Sequence, residues 1–414
     1  MTIMTAVGAE ATNLRNGSAT AAERDPAAPG LEARVKAVAA IAAANAVAVD
    51  RDARFPAEAF AAAKSHGLLG IMVPRELGGE AAGVAEVVDI CYRLGRACSS
   101  TGMIYAMHQV KVACVVRHGR SSEWQNQLLR RLAAEQLLFA SSTTEGQGGG
   151  NIRSSAAPIE YTEAGITLQR EASVISYGAQ ADAIVTTARR SADAAASDQV
   201  LAVFLKDDYT LDTFLAWDTL GMRGTCSSGF MLRASGCADQ LLPLPYDKIH
   251  AQTMVPCAHL MWSSVWAGIA TAAVDNAQAC IRSSARKAGG ELPSGAAHFT
   301  KARAALGTLR GMIASAVRRY EAIAHDEAAV GSLEFQSSIA LTKVEASEQA
   351  VAIVLSAMRA CGLTGYRNDN QFAVGRYLRD ILSSPLMISN DRILSNVGAT
   401  SLMSAVPADL RDHG

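Results

Sequence analysis

Residues 139–151 read FASSTTEGQGGGN, with four hydroxyl side chains, one carboxylate and four glycines in the last eight positions. Glycine brings no Cβ and tolerates φ > 0, so consecutive peptide N–H groups can point together at a bound molecule. Ser142, Thr143 and Thr144 add short hydroxyl donors beside that backbone. Such a stretch offers hydrogen bonds to the polar edge of a ligand; the alternative is a surface turn of small polar residues. A dinucleotide site of the strand–GxGxxG–helix kind is excluded, because that unit is missing. Metal chemistry has no support either: the eight cysteines, from Cys91 to Cys361, are scattered with no CxxC pair.

The elements that must position this loop are helical on both sides. Residues 1–28 are small and polar and read as a flexible N-terminus. Over 29–136 the apolar residues recur at three- and four-residue spacing, broken at Pro56, Gly67 and Gly78-Gly79, which predicts a helical domain. From 137 to 250 the text alternates apolar and polar residues with β-branched enrichment, which predicts a β domain. Helical spacing returns over 251–414 and predicts a C-terminal bundle. The fold class is thus α+β, with a cleft expected where β and helical domains meet.

Composition narrows the partners. The 414 residues are 50% hydrophobic and 19% charged, with a formal net charge of −1 and no long basic or acidic block. Nothing in that balance attracts nucleic acid or an anionic membrane, and no run of about 18 uninterrupted apolar residues appears. Scattered cysteines and an N-terminus without a basic-then-apolar leader pattern give a cytoplasmic expectation.

The order of these segments, and five motifs within it, resemble the acyl-CoA dehydrogenase family from about residue 31 onward. TEGQGGGN (Thr144–Asn151) is similar to the family's TEPGAGSD-type loop, and ASVISYGAQADAIV (Ala172–Val185) to its K-x-W-I-T strand. WDTLGMRGTCSSGFML resembles the LGMRGS-x-T strand pair, and CGLTGYRNDNQFAVGRYLRD the GGxGY…RxxRD segment. FPAEAFAAAKSHGLLGIMVPRELGG, upstream, is equally typical. The resemblance implies a helical domain, a middle β-barrel and a C-terminal four-helix bundle. It also implies FAD, with Ser142, Thr143, Thr144, Gly149 and Gly150 around the flavin, Ser176 near its N5, and Ile175 and, in the late segment, Gly362 as further cofactor-binding positions. Arg286 or Lys287, in IRSSARKAGGELP, would neutralise the FAD pyrophosphate of a neighbouring subunit of a dimer or tetramer, although their spacing differs from the family's RxxFG by a residue or two.

The family's reaction removes the α proton of an acyl thioester with a glutamate while the flavin accepts a hydride. Both usual positions for that base are altered here. Eight residues after Arg379-Asp380 stands Ile388, and ten before Gly268 stands Ala258; no glutamate follows Glu348. His259, beside the second position, Asp391, three residues past the first, and His108, on a helix that faces the cleft in relatives, are the candidate catalytic groups. A histidine is a competent base near neutral pH. Against this, a helix-start histidine commonly caps or packs, and "SND" before "RIL" also reads as a helix N-cap. Three functions follow as expectations. The first is FAD-dependent α,β-dehydrogenation of an acyl-CoA or acyl-carrier-protein thioester with a non-standard base and an electron-transfer partner. The second is a flavin monooxygenase on the same fold, fed by a flavin reductase. The third is a non-catalytic binding homologue.

Overall fold

The computed structural model describes residues 29–145 and 153–403. Among the described residues five helices come first: α1 (Leu31–Arg51), α2 (Ala57–Ser65), α3 (Val84–Ala97), α4 (Ser99–His118) and α5 (Glu123–Glu135). On α1 the buried Val35, Val38, Ala42, Ala46 and Val49 follow a three- to four-residue spacing, so one stripe faces the core. Helix α4 is buried on nearly every side and runs through the middle of the molecule.

Among the described residues seven strands follow: β1 (Phe139–Ser142), β2 (Ile159–Thr162), β3 (Gly165–Ile175), β4 (Ala183–Arg189), β5 (Gln199–Leu205), β6 (Tyr209–Leu215) and β7 (Ser228–Gly236). They form two sheets, a three-stranded one in the order β1-β4-β5 and a four-stranded one in the order β2-β3-β7-β6. Among the described residues of the middle domain, no strand is hydrogen-bonded into both sheets. β1 pairs parallel to β4, and β3 pairs antiparallel to β7 with a register shift between Ala172 and Ile175.

The remainder is α6 (Tyr246–Ile249), a π-helical turn (His250–Met254), α7 (Val255–Lys287), α8 (Ala296–Ile323), α9 (Glu327–Gly331), α10 (Leu333–Cys361), α11 (Leu363–Tyr366), α12 (Gly375–Ile381) and α13 (Asn390–Met403). α7, α8 and α10 pack on one another, and the shorter α13 packs on α10. The run from Tyr246 to Lys287 is long and apolar enough to cross a membrane, yet 94% of its apolar window is buried inside the protein. That is the signature of a core helix. Gly95 and Gly268 let α3 and α7 cross closely: a Cβ on Gly268 would lie 2.3 Å from the Tyr92 carbonyl oxygen.

Side chains staple the three parts together. Arg379 on α12 donates to Asp50 Oδ1 of α1 at 2.9 Å and to the Leu220 carbonyl at 3.0 Å. Its neighbour Asp380, fully buried, accepts from the Met222 N–H at 2.7 Å. The adjacent Arg-Asp pair thus holds the 217–222 loop between the first and last domains. Gly221 must be glycine for that contact, since a Cβ there would sit 2.1 Å from the Arg379 carbonyl oxygen.

Candidate active site

A cavity of ≈ 680 Å³ lies where the strands meet α4, α7 and the segment after α12. Its size falls within the ~300–1,000 Å³ of ordinary ligand pockets.

The strand wall is hydroxyl-rich. Ser141, Thr143 and Thr144 border the cavity from β1 and the loop after it. Side chains alternate along a strand, so Ser142 points the other way. It is fully buried, and its Oγ has no hydrogen-bond partner among the described residues. The expectation that Ser142 faces the ligand is corrected: Ser141 takes that place. Gly149 and Gly150 lie outside the described residues. Glu145 is turned away from the cavity, anchored by Ser155 Oγ (3.1 Å), the Ala156 N–H (2.6 Å) and the buried Arg170 (3.2 Å).

The irregularity in the β3–β7 pairing presents Ser173 and Val174 to the cavity, and Ser176 follows them. Ile175 is completely buried and contributes packing instead. Ser227 Oγ donates to Ser176 Oγ at 2.8 Å and meets Thr225 Oγ1 at 2.7 Å. Because Ser176 accepts in that chain, its own proton is left for a ligand. Thr225 and Ser227 were legible only as two hydroxyls in alternate positions of the TCSSGF segment; their chain to Ser176 is a tertiary contact.

The helical wall is apolar with few polar groups. Met103, Met107 and Val110 from α4 meet Val255 and Trp262 of α7. Ala258 and Ile388, the two positions where the family supplies its base, both border the cavity with hydrocarbon. Ile388 also adopts φ +50°, uncommon for a β-branched residue, and its carbonyl accepts from Lys343 Nζ at 2.9 Å.

Of the three proton-transfer candidates, only His259 borders the cavity. Its Nδ1 donates to the Ile339 carbonyl at 3.2 Å, leaving Nε2 with the ring's lone pair. Burial pushes its pKa down to about 4, so the ring is neutral near pH 7. His108 is placed elsewhere. Its Nε2 donates to the Leu69 carbonyl at 2.9 Å while Nδ1 accepts the Phe139 N–H at 3.0 Å, so both nitrogens are occupied. Burial lowers its pKa to about 4 as well. His108 welds α4 to β1 and has no atom free for catalysis. Asp391 is exposed in the first turn of α13 and does not border this chain's cavity. The structure thus places both His108 and Asp391 away from the cavity of their own chain. Arg286 is exposed near the end of α7, and Gly362 is exposed beyond α10 with φ +58°; neither borders the cavity.

Lys111 and Tyr246, which the sequence reading passed over, do border it. Among the described lining residues there is no aspartate and no glutamate. The adjoining residues 146–152, GQGGGNI, contain none in sequence.

Residues 31–136 match the family described as acyl-CoA dehydrogenase, N-terminal domain, and residues 251–402 the one described as acyl-CoA dehydrogenase, C-terminal domain. The chain is 26% identical over 372 residues to a probable acyl-CoA dehydrogenase of Mycobacterium tuberculosis, covering 87% of this chain and 91% of that one. It is 24% identical over 358 residues to an amino sugar nitrososynthase of Streptomyces peucetius, covering 82% and 84%. In fold it is similar to FMN-bound TdsC, a dibenzothiophene monooxygenase of Paenibacillus sp. A11-2. The TM-score there is 0.79 at 20% identity, over 91% of this chain and 98% of that one.

Proposed function

The chain belongs to the acyl-CoA dehydrogenase family, and from that premise we propose that it is a flavin-dependent monooxygenase on this fold, acting on a small substrate held in the cavity. One observation carries this reading: both positions where the family keeps its base border the cavity as hydrocarbon, Ala258 and Ile388, and no carboxylate replaces them among the described lining residues. Removing an α proton from a thioester needs a base, and His259, held near a pKa of 4, is a weak one.

The strand wall fits a flavin. Thr143, Thr144 and Ser176 would hold the polar edge of the ring, Ser176 as donor because Ser227 donates to it. A bound reduced flavin would supply the two electrons that let molecular oxygen give one atom to the substrate and release the other as water. The chain's own part is to exclude water with Met103, Met107, Trp217 and Trp262 and to orient the substrate through a hydrogen bond accepted at His259 Nε2. FAD, expected from the resemblance, would need Arg286 to act across a subunit contact, since that side chain is exposed outside its own chain's cavity. FMN needs no such contact. Assembly as a homo-oligomer through the C-terminal helices is consistent with the exposed Leu363, Tyr366, Leu402 and Met403.

The second reading, desaturation of an acyl-CoA or acyl-carrier-protein thioester with His259 as base, is favoured by the likeness to a probable acyl-CoA dehydrogenase over most of the chain. One experiment separates the two. The protein is loaded with reduced FMN or FAD generated by a flavin reductase, and oxygen uptake is followed. Tight binding of reduced flavin with product oxygenation is expected. Anaerobic bleaching of oxidised flavin by a short-chain acyl-CoA would instead establish the second reading.

A further inference from the structure

Two donors in the helical wall converge on one poor acceptor. Lys111 of α4 is 3% exposed, and its Nζ donates to Met254 Sδ at 3.4 Å. Tyr246 Oη, also buried, donates to the same sulfur at 3.2 Å. A thioether is a weak acceptor, and a buried ammonium ordinarily has a carboxylate partner. None borders this cavity among the described residues, and Arg379, the arginine in its lining, is already paired with Asp50. The sulfur is presented by the π-helical turn His250–Met254, a local widening of the helix of a kind often found at functional sites. His250, in the same turn, packs edge-on against Tyr246 and keeps a buried Nε2 with no partner among the described residues. Burial raises the Tyr246 phenol above its ordinary range, so it stays a donor, and it lowers Lys111 to about 8 without abolishing its charge at neutral pH.

We propose that Lys111 and Tyr246 form a subsite for the anionic group of the substrate, an oxyanion of the carboxylate type that takes the place of the Met254 sulfur as their shared acceptor. This deepens the monooxygenase reading by naming the substrate class: a small, largely apolar molecule carrying one negative charge. Its apolar part lies against Met107, Val110 and Val255, and its charge sits on Lys111.

The test is calorimetric binding of the straight-chain carboxylates from butanoate to octanoate, each against its uncharged amide, to the full-length protein with and without bound flavin. At least one carboxylate is expected to bind tenfold or more tightly than its amide. That preference should vanish in Lys111→Met and fall several-fold in Tyr246→Phe, with both variants folded by circular dichroism. Lys111→Arg should retain a preference for charge. Equal binding of acid and amide, absence of binding by every acid, or an undiminished preference in Lys111→Met would overturn the subsite. So would an equal loss of flavin and carboxylate affinity in Lys111→Met, because the anion at Lys111 would then belong to the cofactor. Binding is read without turnover, so failure of the oxygen-uptake experiment and failure of this one are separately visible.

Discussion

His259 holds its proton on Nδ1, against the Ile339 carbonyl, and borders the cavity with Nε2 left as the ring's acceptor. A ring so placed orients a substrate hydrogen or accepts it during reaction, and its low basicity puts its contribution at the lower end of general-base effects. His259→Ala should reduce turnover by about 100-fold, and Asp391→Ala should leave it unchanged, by steady-state oxygen uptake. Equal loss in the two variants would show that Asp391 acts on the site after all, from a neighbouring subunit. His108 offers a contrast at the same scale. His108→Gln should cost about 1–3 kcal/mol of stability, because one of two buried hydrogen bonds loses its geometry, and the measurement is a urea-unfolding midpoint.

At the scale of elements, the 217–222 loop is what α12 holds in place. Trp217, Leu220 and Met222 reach the cavity only while Asp380 accepts the Met222 N–H and Arg379 spans Asp50 and Leu220. Asp380→Ala leaves that buried N–H without a partner and should destabilise the protein by about 1–3 kcal/mol. It should also weaken flavin binding, since the cavity wall loosens. A melting-temperature loss with unchanged flavin affinity would separate the loop from the cofactor site. Gly221→Ala should produce the same pair of effects by a different cause, the clash with the Arg379 carbonyl.

For the whole molecule, buried neutral histidines couple stability to pH. His108 and His259 are held at about 4 and His250 at about 3, all by burial, against an ordinary 6.5. Between those values the unfolded chain binds more protons than the folded one, so stability is present above pH 6.5 and is lost as pH falls toward 4. Each such histidine contributes up to about 1.4 kcal/mol per pH unit in that window. Asp380, raised by burial, acts in the opposite sense at the acidic end. The urea midpoint should therefore fall steadily from pH 6.5 to pH 4.5; a flat profile would mean that these rings are hydrated and titrate normally.

Periodicity and punctuation were enough to read helix, strand and helix in order, because a 3.6-residue or two-residue apolar repeat is local information. The hydroxyl–glycine loop and the missing glutamates were legible for the same reason, being statements about residue types at fixed spacing. Which side of β1 each hydroxyl faces was not, since the direction of an alternating strand depends on what packs against it: Ser141, not Ser142, reached the cavity. His108 looked like His259 in sequence, and only the Leu69 carbonyl and the Phe139 N–H, 39 and 31 positions away, distinguish a weld from a free base. Lys111 and Tyr246 lie more than a hundred residues apart and meet at one sulfur. Spacing along the chain carries no record of such a meeting; the packing of α4 against the π-helical turn decides it.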